Sequence, residues 1–170
     1  MKDELFDIAI IGGGLAGLTL AIQCADKGYR TVLFEKESYP FHKVCGEYIS
    51  MESKPFLQKL GVPLDEWNLP VINKLSVSDA GGKTYDFRLP LGGFGISRYT
   101  LDNTLYRIAL QRGVAIYTQT KVSDIQFEDW RFCIQSTAGI FYAKLAAGSY
   151  GKRSNLDIKW NRSFVQQKAG

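Results

Sequence analysis

Three glycines near the start of the chain have a spacing that brings backbone amides close to a phosphate group. They are Gly12, Gly14 and Gly17, and Glu35 closes the next apolar run. Gly12 allows a tight turn, Gly14 lets the backbone approach a pyrophosphate, and Gly17 lets the following helix pack closely on the preceding strand. A carboxylate at Glu35 can accept hydrogen bonds from ribose hydroxyls and would repel a 2′-phosphate. The pattern therefore predicts a site for a dinucleotide other than NADP.

The elements around these residues follow the order of a βαβ unit. The apolar run Ile8–Ile11 is typical of a strand that is buried on both faces. A helical pattern follows and ends at Gly28, and residues 29–34 predict a second strand that leads into Glu35. The unpaired N–H groups at the start of the helix suit a diphosphate. A glycine-rich turn without a ligand is the alternative, but the flanking strands, helix and acid favour nucleotide binding.

Composition excludes several classes of protein. The chain has 170 residues, 45% of them hydrophobic, which is enough for the core of one domain. A net charge of +4 gives no nucleic-acid signature. Three cysteines without a C-x-x-C pair indicate neither a metal site nor a disulfide framework, so we expect no metal and a cytoplasmic location. No stretch predicts a transmembrane segment, and peripheral membrane contact is left open.

The rest of the chain predicts further helices and strands around this unit. We expect a loop at 38–50, a short helix at 53–60, a β-hairpin of 71–80 and 83–89, a flexible connector at Leu91–Gly95, a helix at 100–112, a strand buried in the main sheet at 114–117, an antiparallel meander of 121–127, 131–136 and 140–146, and a final glycine-rich turn. Residues 164–170 carry no signal. The predicted fold class is α/β: a Rossmann-like βαβ domain with a three-stranded antiparallel meander and a β insertion.

Four segments occur in an order typical of one family. They are the glycine turn 12–17 with Glu35, F-H-K-V-C-G-E-Y-I-S at 41–50, S-R-Y-T-L-D-N-T-L at 97–105, and A-G-S-Y-G-K-R-S at 147–154. The second and third are similar to K-x-C-G-x-x-x-S and R-x-x-L-D-x-x-L, and the fourth lies where G-A-D-G-x-x-S is expected. Together they resemble the N-terminal half of FAD-dependent oxidoreductases of the geranylgeranyl reductase and aromatic-hydroxylase type, the group A flavin monooxygenase-like superfamily.

The resemblance implies a domain division. Its members are considerably longer, so we expect the chain to be a fragment, incomplete relative to the family. Residues 1–60 and 98–170 would form the FAD-binding domain, and residues 61–97 would be a β-rich insertion that belongs to a partial substrate domain.

The resemblance also implies FAD as the cofactor and a set of residues that bind it. Cys45 and Gly46 would lie near the flavin, Arg98 would neutralise phosphate charge or fix the ribityl region, and the backbone at Val122 would contact adenine. Glu35 would bind the adenosine ribose. The full set of predicted cofactor-binding residues is Gly12, Gly14, Leu15, Ala16, Gly17, Glu35, Lys36, Cys45, Gly46, Arg98 and Val122.

Some of these residues have a second interpretation. Cys45 could contact the flavin or be a small buried hydrophobe. The single histidine, His42, could anchor a flavin or act as a base, but a solvent-accessible loop histidine is favoured. A Ser-His hydrolase is excluded unless His42 serves it. Arg98 is either a cofactor ligand or a surface cation, and its place at the positive end of a helix favours the ligand.

No catalytic residue is identified. The resemblance implies a flavin-dependent reductase or monooxygenase that acts on an apolar small molecule, and a non-catalytic dinucleotide-binding or interaction module is the alternative. Tyr150 stands where the family has an Asp associated with FAD and nicotinamide handling. Direct reduction by NAD(P)H is therefore in question, and an electron-carrier protein is the other reductant. Whether this chain is itself an active enzyme is left open.

Overall fold

The computed structural model describes residues 5–151 and 155–163. The chain divides into two compact units. Unit 1 consists of Met1–Tyr39 and Leu105–Gly170, and unit 2 consists of Pro40–Thr104. The first boundary precedes the sequence-based one at 60/61, because a strand at residues 48–50 pairs within unit 2. The second falls inside the helix Arg98–Gln111, after the sequence-based boundary at 97/98.

The described residues form nine strands and four α-helices. The strands are β1 (Leu5–Ile11), β2 (Thr31–Phe34), β3 (Tyr48–Ser50), β4 (Val71–Ser78), β5 (Thr84–Gly95), β6 (Ala115–Tyr117), β7 (Val122–Glu128), β8 (Arg131–Ser136) and β9 (Gly139–Gly148). The helices are α1 (Leu15–Asp26), α2 (Lys54–Lys59), α3 (Arg98–Gln111) and α4 (Asn155–Lys159). Among these residues, no helix is long and apolar enough to cross a membrane.

Unit 1 contains the predicted βαβ unit. Its six-stranded sheet has the order β6-β2-β1-β9-β8-β7, and β1 pairs in parallel with both β2 and β9. In this register Ile11 lies beside Phe34, so the glycine turn and Glu35 follow neighbouring strand ends. The Gly12 N–H donates a hydrogen bond to the Phe34 carbonyl oxygen at 2.8 Å. The sequence pattern thus predicted the element order that places the two motifs together.

The meander is confirmed as three antiparallel strands, β7, β8 and β9. β9 pairs in parallel with β1 as far as Gly148. The strand was predicted to end at residue 146, so the glycine-rich turn begins two residues later than predicted. A core that includes Ile11, Phe34 and Ile134 joins the meander to the parallel strands. The parallel pairing of β9 brings Ser149 next to the glycine turn.

The predicted burial of the strand at 114–117 was wrong in part. β6 pairs with β2 at one edge of the sheet, and its residues Ala115, Ile116 and Tyr117 are partly or largely exposed. The edge position leaves one side of the strand without a neighbouring strand, and only Val114, just before it, is fully buried.

Unit 2 contains an antiparallel sheet with the order β3-β5-β4. The predicted hairpin is confirmed as β4 and the first part of β5. The predicted flexible connector Leu91–Gly95 was wrong, because this segment continues β5 and pairs with β3, a strand inside the predicted loop at 38–50. A Cβ atom at Gly93 would lie 2.4 Å from the Tyr48 ring, so this glycine permits a close strand approach rather than flexibility.

α3 begins in unit 2 and ends in unit 1. The Ser97 hydroxyl oxygen accepts a hydrogen bond from the Thr100 N–H at 3.2 Å, which is the bond expected of an N-cap residue. The sequence pattern did not predict α4. The tail at 164–170 and the glycine-rich turn beyond Gly151, up to Ser154, lie outside the described residues.

Candidate functional site

The glycine turn between β1 and α1 is sterically confined. Gly12 has φ +107°, and a Cβ atom there would lie 2.5 Å from the Ser149 carbonyl oxygen. A Cβ atom at Gly17 would lie 1.9 Å from the Gly12 carbonyl oxygen. The first and third glycines of the motif are therefore required by the close approach of the turn, α1 and the end of β9.

The start of α1 leaves backbone donors available to an anion. Gly14 is the N-cap residue, with no side-chain capping bond, and the first turn contains no acidic residue. The first bond within the helix is donated by the Leu18 N–H to the Gly14 carbonyl oxygen at 2.9 Å. The N–H groups that precede Leu18 have no partner within a helix of this geometry. This donor set and the positive end of the helix dipole fit a diphosphate.

Glu35 joins the end of β2 to the turn. Its side chain is only 6% exposed. One carboxylate oxygen accepts the Gly13 N–H at 2.8 Å, and the other accepts the Glu37 N–H at 3.1 Å. A carboxylate has about four lone-pair sites, so two remain for further donors. The fixed carboxylate therefore fits the hydroxyl pair of a ribose.

Two side chains that the sequence reasoning missed also contact the turn. The Tyr39 hydroxyl donates a hydrogen bond to the Gly13 carbonyl oxygen, and its ring stacks on Tyr106 with centroids 4.4 Å apart. The Ser149 hydroxyl donates to the Gly12 carbonyl oxygen at 2.6 Å. Ser149 lies in the glycine-rich segment that resembled the family, whereas no spacing rule marked Tyr39.

Leu15 and Ala16 lie in the first turn of α1. The other two candidates of unit 1, Lys36 and Val122, differ in burial. Lys36 is exposed, and its ammonium lies 3.9 Å from the Glu37 carboxylate. An exposed ion pair of this kind contributes little to the stability of the fold. The Val122 side chain is buried in the core cluster that also contains Ile11 and Phe34. The Thr120 N–H, two residues before Val122, donates to the Glu35 carbonyl oxygen at 2.9 Å, so the start of β7 lies near the end of β2.

The unit 2 candidates form a separate cluster of charged groups. Arg98 donates two hydrogen bonds to the Asp102 carboxylate, at 2.8 and 2.9 Å, and the Lys43 ammonium lies 3.3 Å from the same group. Asp102 is 1% exposed. Burial opposes the charge of Arg98, but the hydrogen bonds and charge of Asp102, with a smaller contribution from Cys45, outweigh it and raise the pKa of Arg98. Two cations thus share one buried carboxylate, which leaves positive charge for an anion.

Cys45 is exposed, so its interpretation as a small buried hydrophobe was wrong. Its sulfur accepts the Glu47 N–H at 3.4 Å, and its interaction with Arg98 adds to the raised pKa of the guanidinium. Gly46 is also exposed, and a Cβ atom there would have no neighbour within 4 Å. His42 is exposed and stacks on Tyr99 with centroids 4.7 Å apart, as favoured for a loop histidine.

Tyr150 is half-buried and contacts a carboxylate. Its hydroxyl donates a hydrogen bond to the Asp157 carboxylate at 3.0 Å. Burial and then this bond raise the pKa of Tyr150. Asp157 itself is 8% exposed and also faces Arg162, 3.5 Å away. The carboxylate near this turn is therefore supplied by α4 rather than by residue 150.

The groups around the turn fit a nucleotide, and among residues 5–151 and 155–163 they form no recognisable acid–base pair. In the part of the chain that the structure describes, no group of three His, Cys, Asp or Glu side chains could hold a metal ion.

Comparison with known proteins identifies the same part of the chain. Residues 7–43 match the family model of an FAD binding domain. A 1H-pyrrole-2-carbonyl-[peptidyl-carrier protein] brominase of Pseudoalteromonas luteoviolacea is 31% identical over 125 residues, which cover 71% of this chain and 30% of the brominase. A digeranylgeranylglycerophospholipid reductase of Sulfolobus acidocaldarius is 29% identical over 139 residues, which cover 76% of this chain and 28% of the reductase. The chain thus spans about 30% of the length of these relatives.

The fold is shared with solved structures. The p-nitrophenol 4-monooxygenase of Pseudomonas putida superposes with a TM-score of 0.77 at 19% identity, over 91% of this chain and 43% of the monooxygenase. The chain therefore has the same fold as the matching part of that monooxygenase.

Proposed function

We propose, since the chain belongs to the FAD-dependent oxidoreductase superfamily, that it holds the adenosine diphosphate half of FAD in an enzyme acting on an apolar small molecule. In this proposal the turn Gly12–Gly17 binds the diphosphate and Glu35 binds the ribose. FAD binding itself is supported by the family match to residues 7–43.

The observation that carries the proposal is the position of the Glu35 carboxylate. It is buried, it accepts the Gly13 N–H at 2.8 Å, and it keeps lone pairs for ribose hydroxyls. The N-terminus of α1 supplies N–H donors without a competing acid or cap in its first turn. A ribose and a diphosphate are therefore matched by neighbouring groups on β2 and α1.

The cluster in unit 2 supports a role toward an anionic part of the cofactor or substrate. We propose that Arg98, oriented by Asp102, neutralises negative charge there, and that Cys45 and Gly46 lie on the flavin side of the site. The bidentate pair fixes the guanidinium plane, so the N–H donors that do not face Asp102 are available in one orientation. Lys36 and the Val122 backbone are proposed contacts to the adenosine end.

When bound, FAD supplies hydride transfer or oxygen chemistry, and the protein supplies orientation and electrostatics. We propose a reductase or a monooxygenase-like reaction on an apolar compound. The names of the relatives support this range, because they include a reductase of a prenyl lipid and enzymes that halogenate a pyrrole group. The β-rich segment 61–97 is proposed to contribute to the substrate side.

The reductant is proposed to be NAD(P)H or an electron-carrier protein. The bond from Tyr150 to Asp157 favours the carrier, since no carboxylate stands at residue 150 and the nearby one is already engaged. Three free cysteines among the described residues are compatible with a proposed cytoplasmic location.

The proposal is tested by purifying the full chain and identifying its bound flavin after denaturation. We expect FAD rather than FMN, and bleaching of the flavin absorbance by a reduced electron carrier that exceeds bleaching by NADH or NADPH. Bound FAD that no reductant bleaches would favour the non-catalytic binding module. A chain that holds no flavin after incubation with excess FAD would contradict the proposal.

A further inference from the structure

We infer that Tyr39 is a positioning residue that aims the Gly14 amide at the cofactor diphosphate. The inference rests on the proposed function, because it assumes that the diphosphate binds at the start of α1. It concerns the orientation of two successive peptide groups, Gly12–Gly13 and Gly13–Gly14, which three side chains hold from outside the turn.

The first peptide group is fixed at both ends. The Ser149 hydroxyl donates to the Gly12 carbonyl oxygen at 2.6 Å, and the Gly13 N–H donates to Glu35 at 2.8 Å. Because a trans peptide directs its carbonyl and N–H groups to opposite sides, these two bonds define one orientation of the peptide plane. The Gly13 amide is thereby committed to Glu35 and is not a donor to phosphate.

The second peptide group is fixed at one end only. Its carbonyl oxygen, on Gly13, accepts the hydrogen bond of the Tyr39 hydroxyl. The N–H at its other end belongs to Gly14, the N-cap of α1, and points to the side opposite Tyr39. Tyr39 therefore determines the direction of the Gly14 N–H, while that N–H remains available to the diphosphate.

A device of this kind is needed because glycine peptides reorient at little cost. Three consecutive glycines, Gly12–Gly14, lack the Cβ atoms that restrict backbone torsion angles. Tyr39 is half-buried and its ring stacks on Tyr106, so its hydroxyl is held in place. A hydrogen bond to the carbonyl also polarises the N–H of the same peptide group and strengthens its donation.

The test compares Tyr39→Phe with Tyr29→Phe in the full chain. Tyr29 is an exposed tyrosine of the same unit and lies outside the glycine turn. Dissociation constants are measured for FAD, for ADP and for adenosine, which lacks the diphosphate. We expect Tyr39→Phe to raise the dissociation constants of FAD and ADP about three- to tenfold, the effect of one hydrogen bond, and to leave that of adenosine unchanged. Tyr29→Phe should match the parent chain for all three ligands.

A measurement without ligand separates positioning from folding. We expect Tyr39→Phe to shift the amide proton resonance of Gly14 in NMR spectra, while the melting temperature stays close to that of Tyr29→Phe. An unchanged Gly14 resonance, or an equal loss of affinity for adenosine, would overturn the inference but not the proposed function. A parent chain that binds neither FAD nor ADP would overturn both.

Discussion

The Glu35 carboxylate accepts a hydrogen bond from the Gly13 amide at 2.8 Å, across 22 residues of sequence. This contact joins the acid at the end of β2 to the middle glycine of the turn after β1. The parallel register that sets Ile11 beside Phe34 makes the contact possible. The acid proposed to bind the ribose and the turn proposed to bind the diphosphate are therefore held together before any ligand is present.

The close packing of α1 on the turn predicts that Gly17→Ala destabilises the protein. The new Cβ atom would lie 1.9 Å from the Gly12 carbonyl oxygen and 2.6 Å from the Ser149 hydroxyl. We expect a loss of about 1–3 kcal/mol in the free energy of unfolding, measured by urea denaturation. Gly81→Ala, in the β4–β5 turn, is the control, since its nearest neighbour is a side-chain oxygen at 3.3 Å. Equal effects of the two substitutions would contradict the packing argument.

The buried carboxylate of Asp102 predicts a large effect of Asp102→Asn. Removal of its charge leaves Arg98 and Lys43 close together without a counterion. We expect the free energy of unfolding, measured by urea denaturation, to be about 3 kcal/mol lower than that of the parent chain. The control is Asp65→Asn, which breaks the exposed pair with Lys54 and should cost less than about 1 kcal/mol. A cost for Asp102→Asn as small as that of the control would show that the cluster is not electrostatically important.

The turn between β7 and β8 predicts that Trp130→Gly stabilises the protein. Asp129 and Trp130 have φ angles of 51° and 60°, and Trp130 is 90% exposed. A two-residue hairpin turn with two positive φ angles favours glycine at its second position. We expect a gain of about 1 kcal/mol in thermal or urea unfolding, from relief of the left-handed conformation. Trp130→Ala keeps that conformation and should show no gain, so a gain for both variants would contradict this explanation.

The ion pair between Asp124 and Lys159 predicts a stability change at acid pH. The hydrogen bond from Lys159, at 2.7 Å, lowers the pKa of Asp124 against the opposing effect of burial. A carboxyl whose pKa is lower in the folded state stabilises the fold above its unfolded pKa, about 3.9, and this contribution is lost as the pH falls through the folded pKa. Lys159→Met should therefore be less stable than the parent at pH 7, by up to about 1 kcal/mol, and equal to it in strong acid.

The matched control for this pH dependence is Lys121→Met. Lys121 is exposed and does not pair with Asp124, so its substitution removes the same charge without breaking the ion pair. Urea unfolding of both variants at neutral and acid pH separates the ion pair from the change in net charge. If the free energy of unfolding of the two variants depends on pH in the same way, the ion pair between Asp124 and Lys159 does not cause the loss of stability in acid.

Local patterns in the sequence were sufficient to predict the elements that depend on short-range order. The run into Gly12, the helix up to Asp26 and the acid at Glu35 follow from periodicity and turn chemistry, and the meander follows from alternating strands and turns. The continuation of β5 through Leu91–Gly95 was missed, because glycines indicate flexibility in a sequence but permit close strand contact in a sheet.

The candidate site was predictable only where a motif has fixed spacing. Glu35 and the turn were found in this way, whereas the contacts of Tyr39 and Ser149 depend on tertiary register. Ser149 reaches Gly12 because β9 pairs in parallel with β1, a pairing between segments more than 100 residues apart that no local pattern encodes.

Equilibrium titration with FAD tests the central claim most directly, with Glu35→Gln compared against Glu37→Gln. Glu35→Gln removes the buried charge that is proposed to face the ribose, whereas the Glu37 side chain is exposed and only its backbone contacts Glu35. We expect the parent chain and Glu37→Gln to bind FAD equally and to prefer it to FMN, and Glu35→Gln to bind FAD at least about tenfold more weakly. Equal affinity of all three proteins for FAD, or no preference over FMN, would contradict the assignment of this turn and its acid to the cofactor.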